Sequence, residues 1–309
     1  MFASTLFADE ADVRDFERQI EALMRAGQGD DAAVIVAAAL GELGREGQPL
    51  AALCLALQLE DITLAGWDRL AERIAELDEA GPAISAIGID LSWPGHVGLE
   101  PDTTGQLEPY LETSYYSDAA YAFSTSTRHA LLEGYGEGSG KWTGAFEDID
   151  NLIESRGFGQ VYGAVAPLVE RLRAAPGDDP LEADAMRIGA VFVAVRVHQA
   201  VRRAIATQGL PRALAVIVGS NESYPFLSAP VVSSDESADF VRSIAPVDVP
   251  PSDNACETLM PMLPEEPQHL SGAALRQRFH GSEPANDGAV SSDVSAGAPR
   301  GMLRRLLRR

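Results

Sequence analysis

The chain has 309 residues, enough for one large domain or two small ones whose core needs neither a disulfide nor a structural metal. Acids outnumber bases 46 to 24, for a net charge of −22, so most of the surface repels nucleic-acid phosphates and anionic membranes. Two cysteines, Cys54 and Cys256, make no disulfide framework. No apolar run approaches the roughly 20 residues that span a bilayer, and MFASTLFADEAD lacks the basic start of a signal peptide. The cytoplasm is the expected compartment.

Residues 1–80 read as an α-helical region. In EADVRDFERQIEALMRAGQ, Val13, Phe16, Ile20, Leu23 and Met24 recur at helical spacing, and Gly27 is placed to cap the helix. A second helix is expected from Asp31 as N-cap through Val34, Ala38 and Leu43, until GREGQP breaks it. PLAALCLALQLE is apolar on nearly every side and predicts a buried helix, with a buried strand as the alternative. LAGWDRLAERIAELDEAG predicts another, with Leu64, Trp67, Leu70, Ala71, Ile74 and Leu77 on one stripe.

Residues 81–232 read as an α+β domain with a small mixed sheet flanked by helices. After Gly81-Pro82 the period changes to two: Ile87, Ile89, Leu91 and Trp93 alternate with Ile84, Ala86, Gly88 and Asp90, which is a strand. LEPYLETSYYS is a second strand, with Leu111, Thr113 and Tyr115 alternating against Glu112, Ser114 and Tyr116. YAFST is a candidate third. STRHALLEGY predicts a short helix capped by Ser126, followed by the glycine-rich loop GYGEGSGKWTG. Two helices are expected in FEDIDNLIESRG and GQVYGAVAPLVERLRAA. The next helix opens with Asp179 as N-cap, Pro180 at its first position and Glu182 at its third, and Gly209 closes it. Its middle, IGAVFVAVRV, is rich in β-branched residues and would pass for a strand in isolation, but the punctuation at both ends favours a buried helix. RALAVIVG and YPFLSAPVV read as strands around GSNES.

Residues 233–299 are rich in Ser, Pro, Ala, Gly and acids, and hold too few large apolar residues to offset the entropy of ordering them. They are expected to be a disordered acidic linker with short apolar islands, among them ADFVRSI. Residues 300–309, RGMLRRLLRR, reverse the charge with five arginines in ten residues. On a helix Leu303, Leu306 and Leu307 share a face flanked by Arg304, Arg305, Arg308 and Arg309. Such a basic amphipathic peptide is marginal alone in water and gains structure on a partner.

Candidate chemistry is sparse. Lys141 is the only lysine, which a GC-rich genome explains as well as a need for an amine there. Its loop lacks the phosphate-loop pattern GxxxxGK[ST]: Tyr135 stands at the first glycine and Trp142 at the hydroxyl residue. Tyr135 and Trp142 remain candidate loop contacts. Glu147, Asp148 and Asp150 form an acidic cluster of the kind that holds Mg²⁺ or works as acid and base. On a helix 147 and 150 would share a side, and acids in a first turn also serve the helix dipole. His96 follows Trp93-Pro94-Gly95 at a strand end. Asp90, His96 and Ser220 all fall at strand ends, without the GxSxG elbow of a serine nucleophile. His198 is expected to be a satisfied core or interface histidine rather than a ligand. No metal or cofactor motif is found.

The leading expectation is a non-catalytic cytoplasmic interaction or adaptor protein whose residues 303–309 dock on a protein partner. The alternatives are a metal-assisted hydrolase or transferase using Glu147, Asp148 and Asp150 with Lys141 and His96, and an acidic regulatory or immunity-type binding protein. No nucleic-acid or membrane partner is expected, and the sequence does not set the oligomeric state.

Overall fold

The computed structural model describes residues 6–7, 10–92, 108–134, 146–174, 179–220 and 229–241. It is α+β, with sheets flanked by helices, as composition and periodicity predict. Helices α1 (Glu10–Arg25), α2 (Gly29–Arg45) and α3 (Pro49–Ala56) pack successively. Val13, Phe16, Ile20 and Met24 are buried, and Gly27 takes the positive φ of 79° that lets the chain leave α1. Helix α2 begins two residues before the expected Asp31. Gln28 is its N-cap, and Asp30 and Asp31 lie in the first turn, where the dipole favours acids. The apolar run PLAALCLALQLE is not one buried helix. Helix α3 stops at Ala56, a 3₁₀ turn spans Leu59–Asp61, and Leu55 is exposed.

The stripe from Leu64 to Leu77 is also divided. Strand β1 (Thr63–Ala65) carries Leu64, a 3₁₀ turn carries Trp67, and only then does helix α4 (Leu70–Ala80) begin. Gly66 supplies the sharp turn between β1 and Trp67. Leu70 and Ile74 are buried, but Ala71 is exposed.

The main sheet has five strands in the order β4-β3-β2-β6-β7. They are β2 (Ile84–Ser92), β3 (Tyr110–Ser117), β4 (Asp148–Asp150), β6 (Ala215–Ser220) and β7 (Ala229–Val232). Strands β2 and β6 run parallel, and the other neighbours are antiparallel. Strand β5 (Glu154–Arg156) pairs separately with β1. Ile87, Ile89 and Leu91 face the main core together with Leu111 and Tyr115, as alternation predicts. Ile84 departs from the pattern and joins the same core. The ladder shifts between Ile84 and Ala86, so Ser85 is an extra residue and the side chain before it changes face. On the other face Ala86, Ala215 and Ile217 pack with Phe123 and Leu131.

Helix α6 spans Gly159–Ala174, and helix α7 (Pro180–Gln208) runs 29 residues and settles the ambiguity of 188–197 in favour of helix. Its β-branched residues are buried among α2, α3, β6 and β7, so packing on several sides outweighs their strand preference. Asp179 Oδ1 accepts the Glu182 backbone N–H at 3.0 Å, while the Glu182 carboxylate turns to Arg171. Only the Asp179 half of the expected capping box is therefore supported by these contacts. Asp179→Ala is expected to lower stability by about 0.5–2 kcal/mol, read as a lower urea midpoint with unchanged slope.

Three further expectations are corrected. YAFST is not a strand: Phe123–Thr125 is a 3₁₀ turn whose Phe123 ring packs against Tyr116 and Tyr121. The following helix, α5 (Arg128–Gly134), is capped by Thr127 Oγ1, which accepts the Ala130 N–H, while the Ser126 hydroxyl donates to the Ala122 carbonyl. Residues 233–241, expected in the linker, are folded onto the body. Helix α8 (Ser234–Ser237) leads into a 3₁₀ turn at Ala238–Phe240. Ser237 Oγ accepts the Leu214 N–H, Ser234 Oγ donates to the Phe123 carbonyl, and Glu236 pairs with Arg128. These polar contacts replace the apolar burial that the composition lacks. The remainder of 233–299, and residues 300–309, lie outside the described residues.

One apolar cluster runs from Phe7 to Val232, and takes in α1, α2 and α3 together with the sheet and α7. Among the described residues, no helix is long and apolar enough to cross a membrane.

Candidate functional site

FEDIDN is not helical. Asp148–Asp150 is strand β4, paired with β3 so that Asp148 faces Tyr115 and Asp150 faces Thr113. The physical reason is tertiary. Strand β3 pairs with β2 along one edge and takes β4 on the other, and the acids there meet cationic and hydroxyl partners that a helix would not offer them. The Arg73 guanidinium, from α4, donates through Nε to Asp150 Oδ2 at 2.9 Å, through a terminal nitrogen to Asp148, and through the other to Glu76 Oε2 at 3.3 Å. Asp150 Oδ1 also accepts the Tyr115 hydroxyl at 3.2 Å and the Leu152 N–H at 2.9 Å. The Ser117 hydroxyl donates to Glu147. The hydrogen bond to Asp150 is the main cause that holds the Arg73 pKa above its ordinary value, and burial together with Asp150 raises the Tyr115 phenol.

These carboxylates therefore have structural partners. A metal would have to displace the guanidinium, and among the described residues no group of three or more histidine, cysteine or acidic side chains is arranged to hold an ion. Arg73 and Tyr115 are the residues that sequence reasoning missed. Arg73 carries no local signal, because it lies 77 positions before Asp150.

Around these ion pairs the face is anionic. Glu72, Glu76 and Glu79 are exposed on α4 and recur at helical spacing. With Glu147, Asp148 and Asp150 they make six carboxylates on α4 and at β4, against Arg73 and the exposed Arg69 of the turn before α4. Exposed aromatics stand at both ends of β4: Phe146, 46% exposed, before it, and Tyr110, 42% exposed, whose hydroxyl donates to Asn151 just after it. β4 is an edge strand, short and charged, which discourages pairing with another strand. What it offers is a carboxylate-rich surface with apolar ends.

A second acidic pair lies at the carboxyl ends of the parallel strands. Asp90 stands opposite Glu112 on β3 and beside Gly219 on β6. Burial, with Glu112 adding like charge, pushes the Asp90 carboxyl up to about 6. Ser220 is paired with Leu91, one position along. Asp90 and Ser220 thus do come to the same end of neighbouring strands. His96 lies outside the described residues, as do Tyr135, Lys141, Trp142 and the segment Leu303, Arg304, Arg305, Leu306, Leu307, Arg308 and Arg309.

His198 is buried, as expected, but neither Nδ1 nor Nε2 makes a well-formed hydrogen bond, and the Pro230 carbonyl offers the ring only a weak one. The ring borders a cavity of about 10 Å³ lined by Met24, Ala194, Val195 and Val218.

No protein-family model matches this chain, and no curated protein or solved structure matches it.

Proposed function

We propose that this is a non-catalytic interaction protein of the cytoplasm that works by charge complementarity, with an anionic folded body and a cationic leucine-arginine segment at residues 300–309 that docks on a protein partner. One observation carries the reading: the acidic cluster that would serve an enzyme is bound to Arg73, Tyr115 and Ser117, while the surrounding carboxylates of α4 remain exposed. Residues 1–232 hold 35 acids against 16 bases, a net of −19, and the last ten residues hold five arginines and no acid. An apolar face flanked by arginines suits a groove rimmed by acids, and tethering to the body raises effective concentration without tight individual contacts.

The test is affinity capture from cells with the full chain and with a chain lacking residues 300–309. The expected result is a partner held by the first and lost from the second. An identical set of captured proteins would overturn the reading. Titration with Mg²⁺ or Mn²⁺ is expected to leave the melting temperature unchanged. A rise that Asp150→Ala abolishes would instead favour the metal-assisted hydrolase or transferase.

A further inference from the structure

The described chain ends beside α4. Val241 forms a parallel bridge with Leu210, and the Leu210 N–H donates to the Phe240 carbonyl at 2.9 Å. The neighbouring Gly209 carbonyl accepts the Trp67 indole N–H at 3.1 Å, from the turn that leads into α4. Arg212 Nη2 donates at 2.8 Å to Asp78 Oδ1, near the other end of the same helix. Val241 is thus bridged to a segment, Gly209–Arg212, that bonds to Trp67 three residues before the helix bearing Glu72, Glu76 and Glu79 and to Asp78 within that helix.

We infer that residues 300–309 of the same chain dock on this α4–β4 face when no partner is bound, so that the segment is held in an autoinhibitory contact. The inference rests on the proposed function, since it names what the cationic segment does before it meets its partner. Charge complementarity is the first argument. Six carboxylates against the guanidiniums of Arg69 and Arg73 leave a local excess of four negative charges, and the segment carries five arginines. The second is the form of the surface. Phe146 and Tyr110 give it exposed apolar ends, which suit a segment carrying Leu303, Leu306 and Leu307. The third is reach. The 58 residues from 242 to 299 span up to roughly 190 Å, several times the roughly 40–50 Å across a body of this size. A basic partner competes for the carboxylates, and an acidic partner competes for the arginines and frees the face.

The test uses the full chain and trypsin, with cleavage followed by mass spectrometry. The rate at Arg304 and Arg305 is divided by the rate at Arg276 and Arg278 of the same molecule, which cancels effects on the protease. In about 50 mM salt the ratio is expected to be roughly tenfold lower than in about 500 mM salt, where exposed charges are screened. Glu72→Lys with Glu79→Lys is expected to raise the low-salt ratio by a similar factor. Both residues are exposed, and an unchanged melting temperature shows that the variant is folded. If it is not, the salt comparison on the unaltered chain decides alone. A ratio independent of salt, or unchanged in a folded variant, would overturn the contact. Loss of the partner from the chain lacking 300–309, together with a salt-independent ratio, leaves the proposed function standing without the autoinhibition. A protected segment with no partner lost does the reverse.

Discussion

Gly66→Ala is expected to destabilise this protein by about 2–5 kcal/mol, a large part of the stability of an ordinary domain. Gly66 has a φ of 82°, which an L side chain adopts at a cost of roughly 1–2 kcal/mol. A Cβ there would also sit 1.9 Å from the Leu152 carbonyl oxygen and 3.0 Å from its carbon. Backbone, unlike the end of a flexible side chain, cannot swing aside. Residues 151–153 connect β4 to β5, so relief requires moving the β1–β5 ladder, the Leu152 N–H bond to Asp150, or both. The measurement is urea unfolding, with Gly41→Ala in α2 as control. A Cβ at Gly41 meets nothing within 4 Å, and alanine there is expected to raise stability by up to about 1 kcal/mol. A Gly66→Ala midpoint within about 0.5 kcal/mol of the unaltered protein would show that the turn is looser than this geometry requires.

Acidification is expected to reveal His198. Burial is the main cause that pushes its pKa down to about 4, with Arg128 and Arg202 adding to it and the Pro230 carbonyl and Asp30 opposing it. The ring is wedged between Met24 of α1, Gly29 at the start of α2, and Val218 of β6. In the unfolded chain the imidazole takes its proton near pH 6.5. The folded protein refuses it until about pH 4, so the unfolded state binds more protons between those values. Stability is therefore fully present above pH 6.5 and is lost as pH falls toward 4. Between pH 7.5 and 5 the loss from this residue is about 2 kcal/mol. Acids contribute their own slopes, Asp78 and Asp118 in the same direction and Asp184 in the opposite one. The informative quantity is thus the difference between the unaltered chain and His198→Leu. That difference should shift by about 2 kcal/mol in favour of the variant between the two pH values. The exposed His129, replaced by Gln, serves as control. Parallel pH profiles for the unaltered chain and His198→Leu would mean that the buried ring reaches water or a partner as the pH falls.

The acidic cluster shows how far residue types can mislead. Glu147, Asp148 and Asp150 are as good a sequence signal for a metal or an acid–base pair as this chain contains, and helical spacing would have aligned two of them. In the folded protein they line an edge strand and serve Arg73, Tyr115 and Ser117. The Asp90–Glu112 pair has the reverse history. Alternation correctly places Asp90 on the face opposite Ile87 and Ile89, but only the β2–β3 register sets Glu112 against it.

What the sequence determined by itself was local. The α1 face, the Asp179 cap, the Gly27 and Gly209 stops and the alternation of β2 and β3 depend on residues within a few positions of one another, where periodicity and backbone preference decide. What only the tertiary structure decided were contacts between distant positions: Arg73 with Asp150, 77 residues apart, and Arg128 with Glu236, 108 apart. The first makes a strand of a segment that reads as helix, and the second folds residues whose composition alone would leave them unordered. Both depend on a buried or half-buried charge finding its opposite, and no local pattern encodes where in the chain that opposite stands.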